Sequence, residues 1–188
     1  MSRQYRQRKR AEQQDETRLR ITEATVDLHG SVGPSRTTVS AVAERAGVQR
    51  ATVYRHFPDE RALFAACSAH WRAANPRPDP ASWAATEDPQ ARTRQALAEL
   101  YAYYGRTEQM LANLIRDQEM EVVRPLFSPF WDYLDAVAAS LAPPRATKRT
   151  RAALRHAVDF RTWRSLTRDN GLSNGEAVDL MAALAQAA

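Results

Sequence analysis

The residues best equipped for chemistry in this chain lie between Gln49 and His56. Gln49, Arg50, Thr52, Arg55 and His56 alternate there with the apolar Val48, Val53 and Phe57. Long polar and cationic side chains near the start of a short helix can reach base edges in the major groove of DNA. No part of the sequence supports covalent chemistry to the same degree. No nucleophile is paired with a general base and no glycine-rich loop is placed to cradle phosphate. His29, His56, His70 and His156 lack metal-ligand spacing. We therefore expect no enzyme, no metal and no cofactor.

A second element must hold that face in place. The stretch from Thr37 to Phe57 reads TTVSAVAERAGVQRATVYRHF, and Val39, Val42, Ala43 and Ala46 recur at i, i+3, i+4 and i+7. That spacing makes one apolar stripe of a helix. Thr38 stands where an N-cap belongs, and Gly47 follows at the position that favours a left-handed residue. Small Ala43, the Gly47 turn and the Val53 anchor then have helix-turn-helix spacing. The competing reading is an ordinary helical hairpin with a solvated polar face.

Composition narrows the choice. A chain of 188 residues with 44% hydrophobic content can bury a real core in one domain, or in a small domain joined to a larger one. Six glycines and few alternating β-branched runs point to an all-α protein. No apolar run approaches the roughly 18 residues of a membrane span, and the N-terminus has no secretory h-region. Cys67 is the only cysteine, so we expect a reducing, cytoplasmic setting and read Cys67 as a small buried hydrophobe. Residues 1–73 hold 13 basic and 8 acidic side chains, whereas residues 74–188 hold 14 of each. The whole net charge of +5 thus falls on the helix-turn-helix segment, as in a polyanion-binding head on a neutral body.

Along the chain, residues 1–14, with Arg3, Arg6, Arg8, Lys9 and Arg10, read as a flexible basic arm that either meets phosphates or merely solubilises. Residues 15–73 read as the head, with helix 1 starting near Asp15 and a fourth helix capped by Asp59. Residues 74–89 hold Pro76, Pro78, Pro80 and Pro89 and read as a proline-rich linker, a hinge between head and body that Trp83 pins to the surface. Residues 90–188 read as a body of five helices, giving about nine in all. These include separate helices around Leu97–Tyr104 and Met110–Ile115 and a long one from Ala146 to Asp169. The last helix opens with a Ser173–Glu176 capping box.

With these residues in view, the chain resembles the TetR-type (TetR/AcrR) one-component transcriptional repressors. The similarity is strongest over Ile21 to Phe64, where TTVSAVAERAGVQRATVYRHFPDERALF combines the hydroxyl pair, the Ala-x-x-x-Gly-Val turn, the Thr-Val-Tyr-x-His-Phe helix and a capped fourth helix. The later stretch LRHAVDFRTWRSLTRDNGLSNGEAVDLM is similar to a common actinobacterial type of these regulators. The resemblance implies that Arg36 and Thr38 position the head on phosphates. Gln49, Arg50 and Thr52 would face the groove, with Arg50 bridging guanine O6 and N7. Tyr54 and His56 match backbone-contacting positions, Arg55 suits either task, and a core aromatic is the alternative for Tyr54. Glu60 stands where the family commonly places a phosphate-holding lysine, and Arg61 is the available substitute. His29 replaces a common phenylalanine, which suggests a partly exposed head core there.

The same resemblance implies a homodimer on a palindromic operator, paired through its last two helices. Phe160, Trp163, Val178 and Met181 offer more apolar surface than two terminal helices could bury alone. The alternative is that they pack on their own body. It also implies a small-molecule inducer in an apolar cavity. Tyr101, Tyr104, Met110, Leu114, Phe127, Phe130, Trp131 and Phe160 are the candidate lining, with Arg116, Asp117 and His156 as polar contacts. Rival readings are a ligandless architectural DNA-binding protein and an activator.

Overall fold

The computed structural model describes residues 3–188, and for Arg3 the backbone alone. All regular structure among these residues is helical. Helix α1 spans Arg3–Ser31, so it begins well before the expected Asp15. Residues 4–14 are a continuation of that helix, not a flexible arm; residues 1–2 of the expected arm lie outside the described residues. The cause is local, because that stretch holds no glycine, proline or β-branched residue. Arg8 and Glu12 also pair at 2.8 Å one turn apart.

Gly33, with φ 93°, ends the passage out of α1, and a short 3-10 turn at Pro34–Arg36 follows. Helix α2 covers Val39–Ala46; the Thr38 side chain accepts the Ala41 N–H at 3.1 Å, and Gly47 closes the helix with φ 65°. Helix α3 is Arg50–His56 and helix α4 is Glu60–Ala74, with Asp59 accepting the Ala62 N–H at 2.7 Å. These caps satisfy first-turn amides that the helix itself leaves open.

The proline-rich stretch admits only the single-turn α5, Ala81–Ala84, and Trp83 within it is buried. Helix α6, Pro89–Arg116, is continuous where two helices were expected. At the supposed break the Thr107 hydroxyl donates back to the Tyr103 carbonyl at 2.6 Å. Helix α7 is Arg124–Leu141 and carries Pro129 inside it.

The long helix expected over 146–169 is divided into α8 (Lys148–Ala157), α9 (Phe160–Arg164) and a π-helical turn at Ser165–Asp169. The division is stabilised from both sides. The Asp159 carboxylate accepts the Arg161 N–H at 2.8 Å, and the Tyr101 and Tyr104 hydroxyls donate to the Ala157 and Val158 carbonyls at 2.8 and 2.5 Å. Helix α10, Asn174–Ala187, opens with the reciprocal Ser173–Glu176 box.

The chain forms two compact units. One contains the residues up to Asn75 with Gln109–Phe127, and the other contains Pro76–Glu108 with Ser128–Ala188. Residues 109–127, assigned to the body from sequence, thus belong with the head residues. The core of the first unit includes Ile21, Val42, Ala43, Val53, Phe57 and Leu63. The second is built on Leu97, Leu100, Tyr101, Tyr104, Leu134, Phe160 and Trp163. Full burial of such side chains contributes about 1.5–3 kcal/mol each.

Candidate nucleic-acid interface

The positions of the polar face follow from what α3 buries. Val53 and Phe57 are each 1% exposed, so the intervening residues are turned outward. Gln49, Arg50, Tyr54 and Arg55 are exposed, while Thr52 and His56 are half-buried. Tyr54, at 48% exposure, is a surface residue and not the core aromatic that was its alternative. Gln49 is the N-cap of α3 and Arg50 its first residue, so both stand at the helix's electropositive end.

Helix α1 fixes the other end of α3. Arg18 donates to the His56 carbonyl at 2.6 Å, and its guanidinium lies 4.1 Å from the Phe57 ring centroid. The His56 imidazole is held below its ordinary value by burial, and then by the charges of Arg55 and Arg18, so it favours the neutral form. Arg36 and Thr38 are exposed at the entry to α2. Arg61 is exposed and lies 3.5 Å from Glu121, an arrangement too solvated to hold it firmly.

A group that sequence reasoning placed elsewhere braces the turn between α1 and α2. Asn113 donates its amide to the carbonyls of His29 and Gly30 at 2.9 and 2.8 Å. Arg116 donates to the Val32 carbonyl at 3.0 Å, and Asp117 accepts the Ser35 N–H at 3.0 Å. Asp117 is pulled down to about 2, chiefly by its bond from Arg116. Arg116 and Asp117 are therefore engaged with backbone and with each other, not free as ligand contacts. The φ of 93° at Gly33 is one that side chains rarely adopt, and a Cβ there would also displace the ends of the Arg116 and Asp117 side chains from the turn they brace.

The candidate ligand residues separate into two groups. Tyr101, Tyr104, Phe130 and Phe160 are core residues of the second unit. Tyr104 meets Phe160 edge-on with centroids 5.4 Å apart, and Trp131 is half-buried with the Arg161 guanidinium 5.4 Å from its ring. His156 is exposed, with Nδ1 3.2 Å from the Thr162 hydroxyl. Met110, Leu114 and Phe127 border a cavity of about 40 Å³ in the first unit, together with His29, Phe64, Cys67, Ser68, Trp71, Val123 and Leu126. Nothing in the sequence's helical periodicity marked the α1 and α4 side of that lining. His29 corrects a further expectation, since it is fully buried and not partly exposed.

The four residues offered as a dimer surface are also corrected. Phe160 and Trp163 on α9 and Val178 and Met181 on α10 are all buried within their own chain. The apolar residues of α10 that do face out are Leu180 and Leu184, at 47% and 44% exposure, with Ala183 and Ala187 beside them.

Comparison with known proteins decides what this head is. Residues 21–67 match the family described as bacterial regulatory proteins, tetR family. The chain carries the DNA-binding head of the TetR family. No curated protein sequence matches the chain. Among solved structures, a TetR-like transcriptional regulator from Rhodococcus sp. RHA1 is similar with a TM-score of 0.65 and 16% identity, over 90% of this chain and 93% of that one. The multidrug binding protein EbrR, complexed with imidazole, gives 0.58 at 22% identity over 90% and 89%. The fatty acid degradation regulator FadR from Bacillus halodurans gives 0.56 at 14% over 90% and 94%. At such identities these likenesses establish the fold, which is the all-α TetR-family fold along most of the chain. No described helix is long and apolar enough to cross a membrane, and no group of three metal-ligating side chains occurs among the described residues.

Proposed function

We propose that this TetR-family DNA-binding regulator is a cytoplasmic repressor that binds a palindromic operator as a homodimer and is released by a small-molecule inducer. The observation that carries the reading is the exposed Gln49–Arg50 start of α3, on a helix anchored by buried Val53 and Phe57 and held to α1 through Arg18. Gln49, Arg50 and Thr52 read bases in this proposal. Arg36, Thr38, Tyr54 and His56 meet the backbone, Arg55 serves either task, and Arg61 must leave Glu121 to reach a phosphate.

The exposed stripe of Leu180, Ala183, Leu184 and Ala187 supports pairing through α10, since an apolar helix face of this kind favours a self-complementary interface. Two recognition helices related in this way enter successive major grooves about 34–36 Å apart.

Selection of random duplexes on the purified chain tests the proposal. An inverted repeat bound far above scrambled DNA is the expected outcome, and uniform salt-sensitive binding to every duplex would overturn it. Arg50→Ala should cost about 1–3 kcal/mol on the selected duplex and relax preference at one position. Equal loss on random DNA would remove Arg50 from base reading.

A further inference from the structure

His29 presents a polar group that the folded head leaves unanswered. It lies near the end of α1, is 3% exposed, and packs its ring on Phe64 with centroids 4.4 Å apart. Its Nδ1 is 3.4 Å from Cys67 Sγ, and its Nε2 is buried with no hydrogen-bond partner. Burial pushes the Cys67 thiol up to about 12, so it keeps its proton at neutral pH, and burial lowers His29 to about 4, so the ring is neutral. An imidazole lone pair is a better acceptor than a thiol sulfur. With the S–H as donor to Nδ1, the ring proton sits on Nε2. That leaves a buried N–H donor without an acceptor, a costly state in a low-dielectric interior.

The same side chain lines the cavity of about 40 Å³. Its other walls include Phe64, Trp71, Met110, Leu114 and Phe127, and no charged side chain borders it. One water fits such a space, where Ser68 and the Trp71 indole N–H join His29 and the engaged Cys67 as the polar side chains among otherwise apolar walls. Met110 is unbranched and Leu114 is only half-buried, so this wall can yield to a larger guest.

We infer that this cavity is a binding site for a small, neutral, mainly apolar molecule carrying one hydrogen-bond acceptor, which takes the His29 Nε2–H. The assignment deepens, and rests on, the ligand-responsive regulator proposed above. Its consequence for the head follows from α6. Met110 and Leu114 stand on its last turns with Asn113, and Asp117 follows the helix end directly; Asn113 holds the His29 and Gly30 carbonyls and Asp117 the Ser35 N–H. A guest that moves that wall away from His29 strains the bonds fixing the entry to α2.

Acetophenone and ethylbenzene make the test, being close in shape with one carbonyl between them. Calorimetry on the full chain should give acetophenone the tighter binding, by up to about tenfold. His29→Phe should bind both alike, and in 15N-labelled wild-type protein the Nε2 resonance should shift with acetophenone. Equal affinities in wild type, a preference that survives His29→Phe, or an unmoved Nε2 overturns the site. Should His29→Phe fail to fold, the wild-type pair and the resonance decide the matter. The selected duplex is titrated in the same samples. Specific DNA binding without probe binding overturns the site and leaves the regulator standing. Probe binding with the expected preference but no specific DNA binding does the reverse. Probe binding that leaves duplex affinity unchanged supports the site and overturns its coupling to α2.

Discussion

Tyr101 and Tyr104 lie on α6 only a few turns before Met110 and Leu114, yet the two pairs sit in different kinds of interior. The tyrosines are fully buried, and their hydroxyls close the carbonyls at the α8–α9 break. Met110 and Leu114 instead border a void that an unanswered imidazole also lines. One helix thus supplies a packed core to one unit and a hollow to the other. Packing density reflects what faces a stripe, and the stripe alone does not report it.

The largest effects should come from the packed side. Phe160 is 2% exposed and meets both Tyr104 and Trp163 with centroids 5.4 and 5.5 Å away. Phe160→Ala should lower stability by about 3–5 kcal/mol in urea unfolding. Met110→Ala, beside a space that already exists, should cost about 2 kcal/mol, the low end for a buried methionine. Equal losses at both sites would erase the contrast.

The head was legible because its signals are short-range. Thr38, Gly47 and Asp59 act within one turn, and the structure places each at the helix end it was read to close. Spacing of Val53 and Phe57 likewise told which side of α3 would be free. The body was less legible because its decisive contacts are distant. The break at Val158–Asp159 depends on hydroxyls more than 50 residues earlier, and the α1–α2 turn is braced by Asn113 and Asp117 from more than 80 residues later. Arg116 and Asp117 read as ligand contacts for want of that knowledge. The basic N-terminal stretch was misjudged for another reason, since charge suggested disorder where helix propensity prevailed.

A pH series sharpens the contrast at the hollow itself. The ordinary imidazole value is 6.5, and burial, opposed in part by the Asp117 charge, lowers His29 to about 4. Between those values the unfolded chain binds a proton that the folded chain refuses, so stability falls as the pH drops from 6.5 toward 4. From pH 7 to pH 5 the wild type should lose on the order of 2 kcal/mol more than His29→Phe. Parallel pH profiles would mean that His29 has water around it and that the hollow is open.

The smallest effect is the most discriminating. Leu114→Phe places added carbon against about 40 Å³ of unfilled space, so its stability should change by less than about 1 kcal/mol in either direction. Leu134→Phe places the same carbon where the side chain is 0% exposed among packed neighbours, and should cost about 1–3 kcal/mol through forced rotamers. Only the first substitution should also abolish acetophenone binding. A large loss at Leu114 would mean that its neighbours have no room to give, and the hollow would then be an ordinary packing seam. A tolerated change that removes the probe while sparing duplex binding would separate the space from the fold, because filling it would cost the ligand and nothing else.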